Sequence, residues 1–154
     1  GVGFLHGGYH KSHEQLMDAS GAFKVHRPEH WLFEKTKLEA ETEFGGENTI
    51  VGYECDGCEL EWRDGLPFPT HRDGTPESFT VLATAPAKWA PGDCLWYSQW
   101  PGPDHTGNAV LGVHTTAGGG TVVTVGSTDW AHGLGGADPA VMQITRNVLD
   151  RLGA

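Results

Sequence analysis

Basic residues are scarce in this chain of 154 residues. Lysine and arginine together number 10 against 20 aspartates and glutamates, which gives a formal net charge of -10 at pH 7. Nucleic-acid binding needs clustered lysine and arginine to neutralise phosphates, so this balance argues against DNA or RNA as a partner. No apolar run approaches the roughly 20 residues of a membrane-spanning helix, and no secretory signal peptide is visible. We therefore expect a cytoplasmic protein with neither a membrane nor a nucleic-acid partner.

Cysteine is also sparse, and the three thiols, Cys55, Cys58 and Cys94, cannot all pair. This count suits a reducing compartment. Cys55 and Cys58 have the spacing of metal ligands, but a second such pair is absent, and the residues after Cys58 do not open a helix as a thioredoxin-like redox motif requires. Three interpretations stay open: reduced structural thiols, which we favour, a metal site shared with Cys94 or a histidine, and a redox pair.

Turn-forming residues are abundant, with 23 glycines and 9 prolines. This composition predicts many turns and long structured loops rather than a helical bundle. The chain starts at Gly1 rather than at a methionine, and its first residues already have an apolar character. We expect a single α/β domain over residues 1–154 that is a fragment of a larger subunit and whose sheet is completed by other sequence.

Apolar runs bounded by glycine and proline predict strands and a helix. Asn108–Thr115 and Gly120–Gly126 are joined by a glycine turn, which predicts an antiparallel hairpin. An amphipathic C-terminal helix is predicted, with Asp138 as its N-cap, Pro139 at its first helical position and Gly153 as its C-cap. A strand followed by a loop and a helix is typical of an α/β layer, so we expect a mixed sheet with this hairpin at its edge and the helix closing it. Other predicted elements are strands at Phe23–His26, Thr49–Tyr53 and Ser78–Ala85, the last ended by Pro86, and a helical turn at Pro28–Glu34.

Glu54 is the strongest candidate for a catalytic residue. The predicted strand Thr49–Tyr53 runs directly into a cluster of carboxylates and thiols. Open α/β sheets bind their ligands outside the carboxyl ends of the strands, which is where Glu54 would lie. Asp56 is a weaker candidate, because a turn with Gly57 explains it.

Other catalytic and metal-binding patterns are weak or absent. A serine nucleophile in an α/β fold needs a G-x-S-x-G elbow, which the sequence lacks. Cys94 precedes Leu95 and Trp96 rather than lying at a strand-to-helix turn, which argues against an amidotransferase-like nucleophile. His6, His10 and His13 have a spacing that could bind a metal on a loop, but no carboxylate pattern accompanies them. We therefore assign no metal ligand within this sequence.

Three segments resemble the C-terminal region of the large (beta) subunit of N,N-dimethylformamidase. They are HRPEHWLFE at His26–Glu34, IVGYECDG at Ile50–Gly57, and GSTDWAHGL at Gly126–Leu134 with the downstream segments Asp138–Ala140 and Ile144–Leu149. The resemblance implies a flavodoxin-like or glutamine-amidotransferase-like three-layer α/β fold. It also implies hydrolysis of a small N-substituted formamide to an amine and formate, by an enzyme that contains a small subunit and forms a homo-oligomer.

The resemblance further implies a mononuclear iron held by two tyrosines and one carboxylate, all upstream of this chain. Such oxygen ligands suit a hard Lewis acid that polarises an amide carbonyl and activates water. Tyr53 and Glu54 cannot easily share one metal, because adjacent side chains of a strand point to opposite faces. Glu54 is instead expected to orient the water or to pass a proton to the leaving amine. Trp130 and His132 are expected to bind substrate, although packing in the fold also explains Trp130.

Two other classes of function stay open. The aromatic segment Trp89–Trp100 and the acidic surface could hold subunits together in a non-catalytic assembly module. Alternatively, the tryptophan-rich loops could bind sugars in an amidotransferase-like domain, because indole rings are natural stacking platforms.

Overall fold

The computed structural model describes residues 2–9, 21–90 and 105–153. Within them the chain forms nine strands, two α-helices, and short 3-10 turns at Trp31–Phe33 and Gly46–Asn48. The strands are β1 (Gly3–Tyr9), β2 (Phe23–Val25), β3 (Glu43–Phe44), β4 (Glu54–Gly57), β5 (Leu60–Arg63), β6 (Leu66–Pro69), β7 (Thr80–Lys88), β8 (Thr106–Thr115) and β9 (Thr121–Thr124). The helices are α1 (Trp130–Gly135) and α2 (Pro139–Leu152).

The strands form three antiparallel sheets. The largest has five strands in the order β3-β2-β7-β8-β9, and the pairs β1-β4 and β5-β6 form smaller sheets. Every ladder between named strands of the described residues is antiparallel. The main core contains apolar side chains of the five-stranded sheet together with α1, α2 and the turn at Trp31–Phe33. Val25, Leu82, Leu111, Val141 and Ile144 lie at its centre and are almost fully buried.

The predicted flavodoxin-like or glutamine-amidotransferase-like three-layer α/β fold is wrong. A mixed or parallel sheet needs crossover connections that return each strand to the same end, usually through a helix. Here β4 to β9 follow one another without an α-helix among the described residues, and both α-helices come after the last strand. The predicted single domain over residues 1–154 stays a prediction.

Two local predictions are confirmed. The strands β8 and β9 pair antiparallel from Gly112 opposite Thr124 to Thr115 opposite Thr121, and β9 lies at the edge of the five-stranded sheet. The C-terminal helix begins at Pro139 after Asp138, whose carboxylate accepts hydrogen bonds from the backbone N–H groups of Ala140 and Val141 at 2.9 Å. Gly153 follows the last helical residue as the C-cap.

The predicted strand at Thr49–Tyr53 is wrong, and the error changes the geometry at Glu54. Thr49 has a left-handed backbone with φ of +49° and closes the turn at Gly46–Asn48. Ile50 and Val51 are fully buried, but they pack into the core from an irregular segment. Strand β4 starts at Glu54, so this carboxylate lies at the beginning of a strand rather than at its end.

Two other features of the strands have local causes. The segment after Cys58 contains the hairpin β5-β6, whose turn residues Asp64 and Gly65 both have positive φ, as an Asp-Gly hairpin turn requires. Strand β7 continues through Pro86 to Lys88. Proline is tolerated there because β2 pairs with only Ala83 and Thr84 of β7, so the missing N–H leaves no ladder bond to β2 unmade.

Candidate functional site

Glu54 is fixed in place by the segment that connects β9 to α1. The backbone N–H of Glu54 donates to the Oγ1 atom of Thr128 at 3.3 Å, and the N–H of Thr128 donates to the carbonyl of Glu54 at 3.1 Å. One residue earlier, the N–H of Tyr53 donates to the Oδ2 atom of Asp129 at 2.8 Å. Further along β4, the N–H of Asp56 donates to the carbonyl of Gly126 at 3.0 Å. Strand β4 is thus held by β1 on one side and by residues 126–129 on the other.

A cavity of about 360 Å³ lies where these two segments meet. Glu54 and Asp56 line it together with Phe4 and residues 123–128. Both carboxylates face it because residues i and i+2 of a strand point to the same side. Burial raises the pKa of Asp56 above its usual range. Two carboxylates on one wall of a cavity, one of them with a raised pKa, can accept and donate protons.

Asp56 does not form the predicted turn with Gly57, because both residues lie within β4. The two-residue spacing from Glu54 was visible in the sequence. This spacing places both carboxylates on one face only if the strand covers Glu54–Gly57 and not the residues before Glu54.

Tyr53 lies in different surroundings from Glu54. Its ring packs against Tyr9 with the centroids 5.4 Å apart, and Tyr9 in turn contacts Phe4 and Trp89. Trp89 is almost fully buried in this aromatic group. The rest of the aromatic segment that was considered as a partner surface, residues 91–100, lies outside the described residues.

The structure does not bring Trp130 or His132 to the cavity that Glu54 lines. Trp130 is 8% exposed and packs against Phe23 and Phe44, and its indole N–H donates to the Oγ1 atom of Thr145 at 3.1 Å. The side chain of His132 is 48% exposed, with its Nε2 atom 3.9 Å from the Oδ1 atom of Asp129. Substrate binding by these two residues stays a prediction.

A second cavity, of about 440 Å³, lies between β1, β5, β7 and β8 and is lined by His6, Glu59, Trp62 and His105 among others. Its carboxylate is poorly suited to proton transfer. Hydrogen bonds from Arg72 and Thr70 lower the pKa of Glu59 to about 2, so this group remains ionised at neutral pH. Burial raises the pKa of Asp56, which makes the cavity at Glu54 the better candidate for acid–base chemistry by a carboxylate.

The predicted thiol and histidine sites are only partly within the described residues. Cys55 and Cys58 are free and buried, and burial raises the pKa of each thiol to about 12. His6 lies 3.8 Å from the Oδ2 atom of Asp73, while His10, His13 and Cys94 lie outside the described ranges. Across residues 2–9, 21–90 and 105–153, no group of three histidine, cysteine, aspartate or glutamate side chains is arranged to hold a metal ion.

The sequence matches the family described as "N,N-dimethylformamidase beta subunit-like, C-terminal" over residues 2–144. This match covers most of the chain. The chain belongs to this family. The resemblance drawn from the three segments above is thereby confirmed, and the family name agrees with the expectation of a partner subunit. No curated protein and no solved structure matches the chain.

The structure also shows whether any of the described helices could span a membrane. None of the helices in the part of the chain that the structure describes is long and apolar enough to cross a bilayer.

Proposed function

We propose that this chain is part of an amidohydrolase of the dimethylformamidase type, which hydrolyses a small N-substituted formamide to an amine and formate. The observation that carries the proposal is the position of Glu54, which lies beside Asp56 on the wall of a cavity in a chain of this family. Glu54 is the proposed general acid and base.

The chemistry gives Glu54 two consecutive tasks. Its carboxylate takes one proton from a water molecule while the water oxygen forms a bond to the formyl carbon. Glu54 then passes that proton to the amide nitrogen as the carbon–nitrogen bond breaks, because an amide anion is a poor leaving group. The other water proton stays on the formic acid, which ionises to formate and leaves the released amine protonated.

Among the described residues, those that line the cavity include Glu54 and Asp56 but no tyrosine. The cavity wall formed by these residues therefore lacks the two tyrosine ligands that the family resemblance implies for iron. We therefore propose that the iron implied by the family resemblance is held by residues outside the described ranges. The metal would polarise the amide carbonyl, while the proton transfers above are carried by this chain.

A Glu54→Gln substitution in the full-length subunit, assembled with its small subunit, tests the proposal. The amide of glutamine keeps the size of the side chain but cannot accept and return a proton. We expect kcat for a small formamide to fall by about 10²–10⁴-fold, with unchanged iron content and melting temperature. Glu39→Gln is the matched control, because Glu39 is exposed and does not line the cavity. Undiminished turnover by Glu54→Gln would overturn the proposal.

The same experiment addresses the alternative of a non-catalytic assembly module. That alternative requires full turnover by Glu54→Gln and a change in oligomer mass when Trp96 and Trp100 are truncated. Light scattering after size-exclusion chromatography measures the second outcome. It also tests the homo-oligomer that we propose together with the small subunit.

A further inference from the structure

Asp129 is a buried carboxylate directly beside the proposed catalytic residue. Only 3% of its surface is exposed. Burying a carboxylate is costly unless hydrogen bonds compensate it. Its Oδ2 atom accepts the 2.8 Å hydrogen bond from the N–H of Tyr53, the residue before Glu54. This hydrogen bond compensates part of the cost of burying the side chain.

The neighbouring residue in sequence, Thr128, holds the main chain of Glu54 itself. Its N–H donates to the carbonyl of Glu54, and its hydroxyl oxygen accepts from the N–H of Glu54. The N–H of Asp129 in turn donates to the Oγ atom of Ser127 at 3.2 Å. Residues 127–129 therefore form a compact hydrogen-bonded segment that contacts the backbone on both sides of the Glu54 Cα atom.

The ladder of β4 alone does not fix this position firmly. Strand β4 has four residues, and its partner β1 shifts in register between Gly3 and Gly8. Glu54 pairs with Tyr9 at the very end of β1, which is followed by residues outside the described ranges. The hydrogen bonds from Thr128 and to Asp129 supply the constraint on the opposite side. They set the direction of the Glu54 Cα–Cβ bond and hence where its carboxylate lies in the cavity.

We propose that Asp129, together with Thr128, is a positioning residue for Glu54. The inference depends on the proposed function, because it assigns Asp129 a role through the catalytic carboxylate. Misplacing a reacting group by about 1 Å can cost about 10²-fold in rate. Asp129 is not among the residues that line the cavity, so its effect belongs in kcat and not in substrate affinity.

Asp129→Ala and Asp129→Asn in the full-length subunit with its small subunit form the first test. Alanine removes the acceptor of the Tyr53 N–H, whereas the amide oxygen of asparagine retains it. We expect kcat to fall by about 10–100-fold in Asp129→Ala with KM nearly unchanged, and asparagine to restore most of the loss. A merely structural role would lower the melting temperature of both variants and leave kcat per folded molecule intact. That result would overturn the inference.

The double variant Glu54→Gln with Asp129→Ala provides the second test. If Asp129 acts through Glu54, the double variant turns over at the rate of Glu54→Gln alone, because the group being positioned is already missing. Independent, multiplicative losses would contradict the inference. Full turnover by Glu54→Gln overturns the proposed function, and this inference with it. Loss of turnover in Glu54→Gln with full turnover in Asp129→Ala overturns the inference alone.

A third measurement does not depend on activity. Amide hydrogen exchange of Tyr53 and Glu54 should accelerate in Asp129→Ala and stay near the parent rate in Asp129→Asn. Unchanged exchange in the alanine variant would show that the hydrogen bond does not hold this backbone.

Should Asp129→Ala fail to fold, Thr128→Val and Thr128→Ser test the inference instead. Valine removes the acceptor of the Glu54 N–H at almost constant shape, so we expect Thr128→Val to lower kcat. Serine retains the hydroxyl oxygen, so we expect Thr128→Ser to keep kcat near the parent value. Equal kcat in both would overturn the inference.

Discussion

The Nε2 atom of His26 lies 2.8 Å from the Oγ1 atom of Thr84, on the strand next to β2 in the five-stranded sheet. His26 is 4% exposed, and its ring lies nearly perpendicular to the ring of Trp62 at a centroid distance of 5.4 Å. Its Nδ1 atom is 3.6 Å from the Oε1 atom of Glu41, which is itself exposed. Burial lowers the pKa of His26, and the charge of Glu41 only partly opposes this effect.

We expect the free energy of unfolding to fall as the pH drops below about 6.5, the usual pKa of histidine in an unfolded chain. Below that pH the unfolded state binds a proton that folded His26, with its lowered pKa, does not yet bind. The contribution of neutral His26 to the free energy of unfolding is complete above about pH 6.5. It is lost as the pH falls towards the lowered pKa of His26 in the folded chain. Urea unfolding between pH 5.5 and 7.5 measures this slope. It should be shallower in His26→Gln than in the parent and unchanged in the control His114→Gln. Equal slopes in all three would refute the prediction.

Removing the N-cap of α2 should lower the free energy of unfolding of the chain by a small amount. The carboxylate of Asp138 satisfies two backbone N–H groups at the start of the helix. Its replacement by alanine should lower the free energy of unfolding by about 1 kcal/mol, measured by urea denaturation. Asp138→Asn is the control, because an asparagine side chain caps about as well. An equal loss in both variants would mean that the charge, and not the hydrogen bonds, stabilises this helix.

Features set by neighbouring residues could be predicted from the sequence. The helix α2 is marked by Asp138, Pro139 and Gly153, which act on the first and last turns directly. The hairpin β8-β9 is marked by two β-branched runs and the glycines between them. In each case the signal and its effect lie within a few residues, so no knowledge of the rest of the fold is needed.

The fold class could not be predicted, because it depends on which distant strands pair. Strand β7 lies between β2 and β8, whose partner residues are far apart in sequence. The apolar residues Ile50 and Val51 gave the pattern of a strand, yet they fill the core from an irregular segment. Apolar periodicity reports burial, and burial does not require strand pairing.

Only part of the candidate site could be predicted from the sequence. Glu54 stood out because a carboxylate follows an apolar run. Asp129 did not, since its partner Tyr53 lies 76 positions away in the sequence. A residue whose role is to position another can be recognised only when the structure brings the two together.

Native Cys55 and Cys58 should not react with thiol reagents. Burial raises the pKa of each to about 12, so the thiolate that attacks a disulfide reagent is almost absent at neutral pH. A Cys94→Ser variant isolates these two thiols. We expect no fast reaction with DTNB at pH 7.5, and reaction of both thiols after denaturation in guanidinium chloride. Rapid labelling of either native thiol would instead favour the redox interpretation.

Gly126→Ala should destabilise the chain at the cavity that contains Glu54. Gly126 has φ of +58°, and an added Cβ atom would lie 2.4 Å from the carbonyl oxygen of Val110. Left-handed geometry alone costs a non-glycine residue about 1–2 kcal/mol, and overpacking against backbone adds about 1–3 kcal/mol. We therefore expect a loss of at least about 2 kcal/mol in urea unfolding.

Gly118→Ala is the matched control for this substitution, because an added Cβ there has only the Oγ1 atom of Thr116 within reach, at 4.0 Å. It should unfold at nearly the parent urea concentration. The N–H of Asp56 donates to the carbonyl of Gly126, so Gly126→Ala should also accelerate hydrogen exchange of the Asp56 amide, whereas Gly118→Ala should not. Parent-like stability and exchange in Gly126→Ala would mean that β4 is not held against residues 126–129 as described.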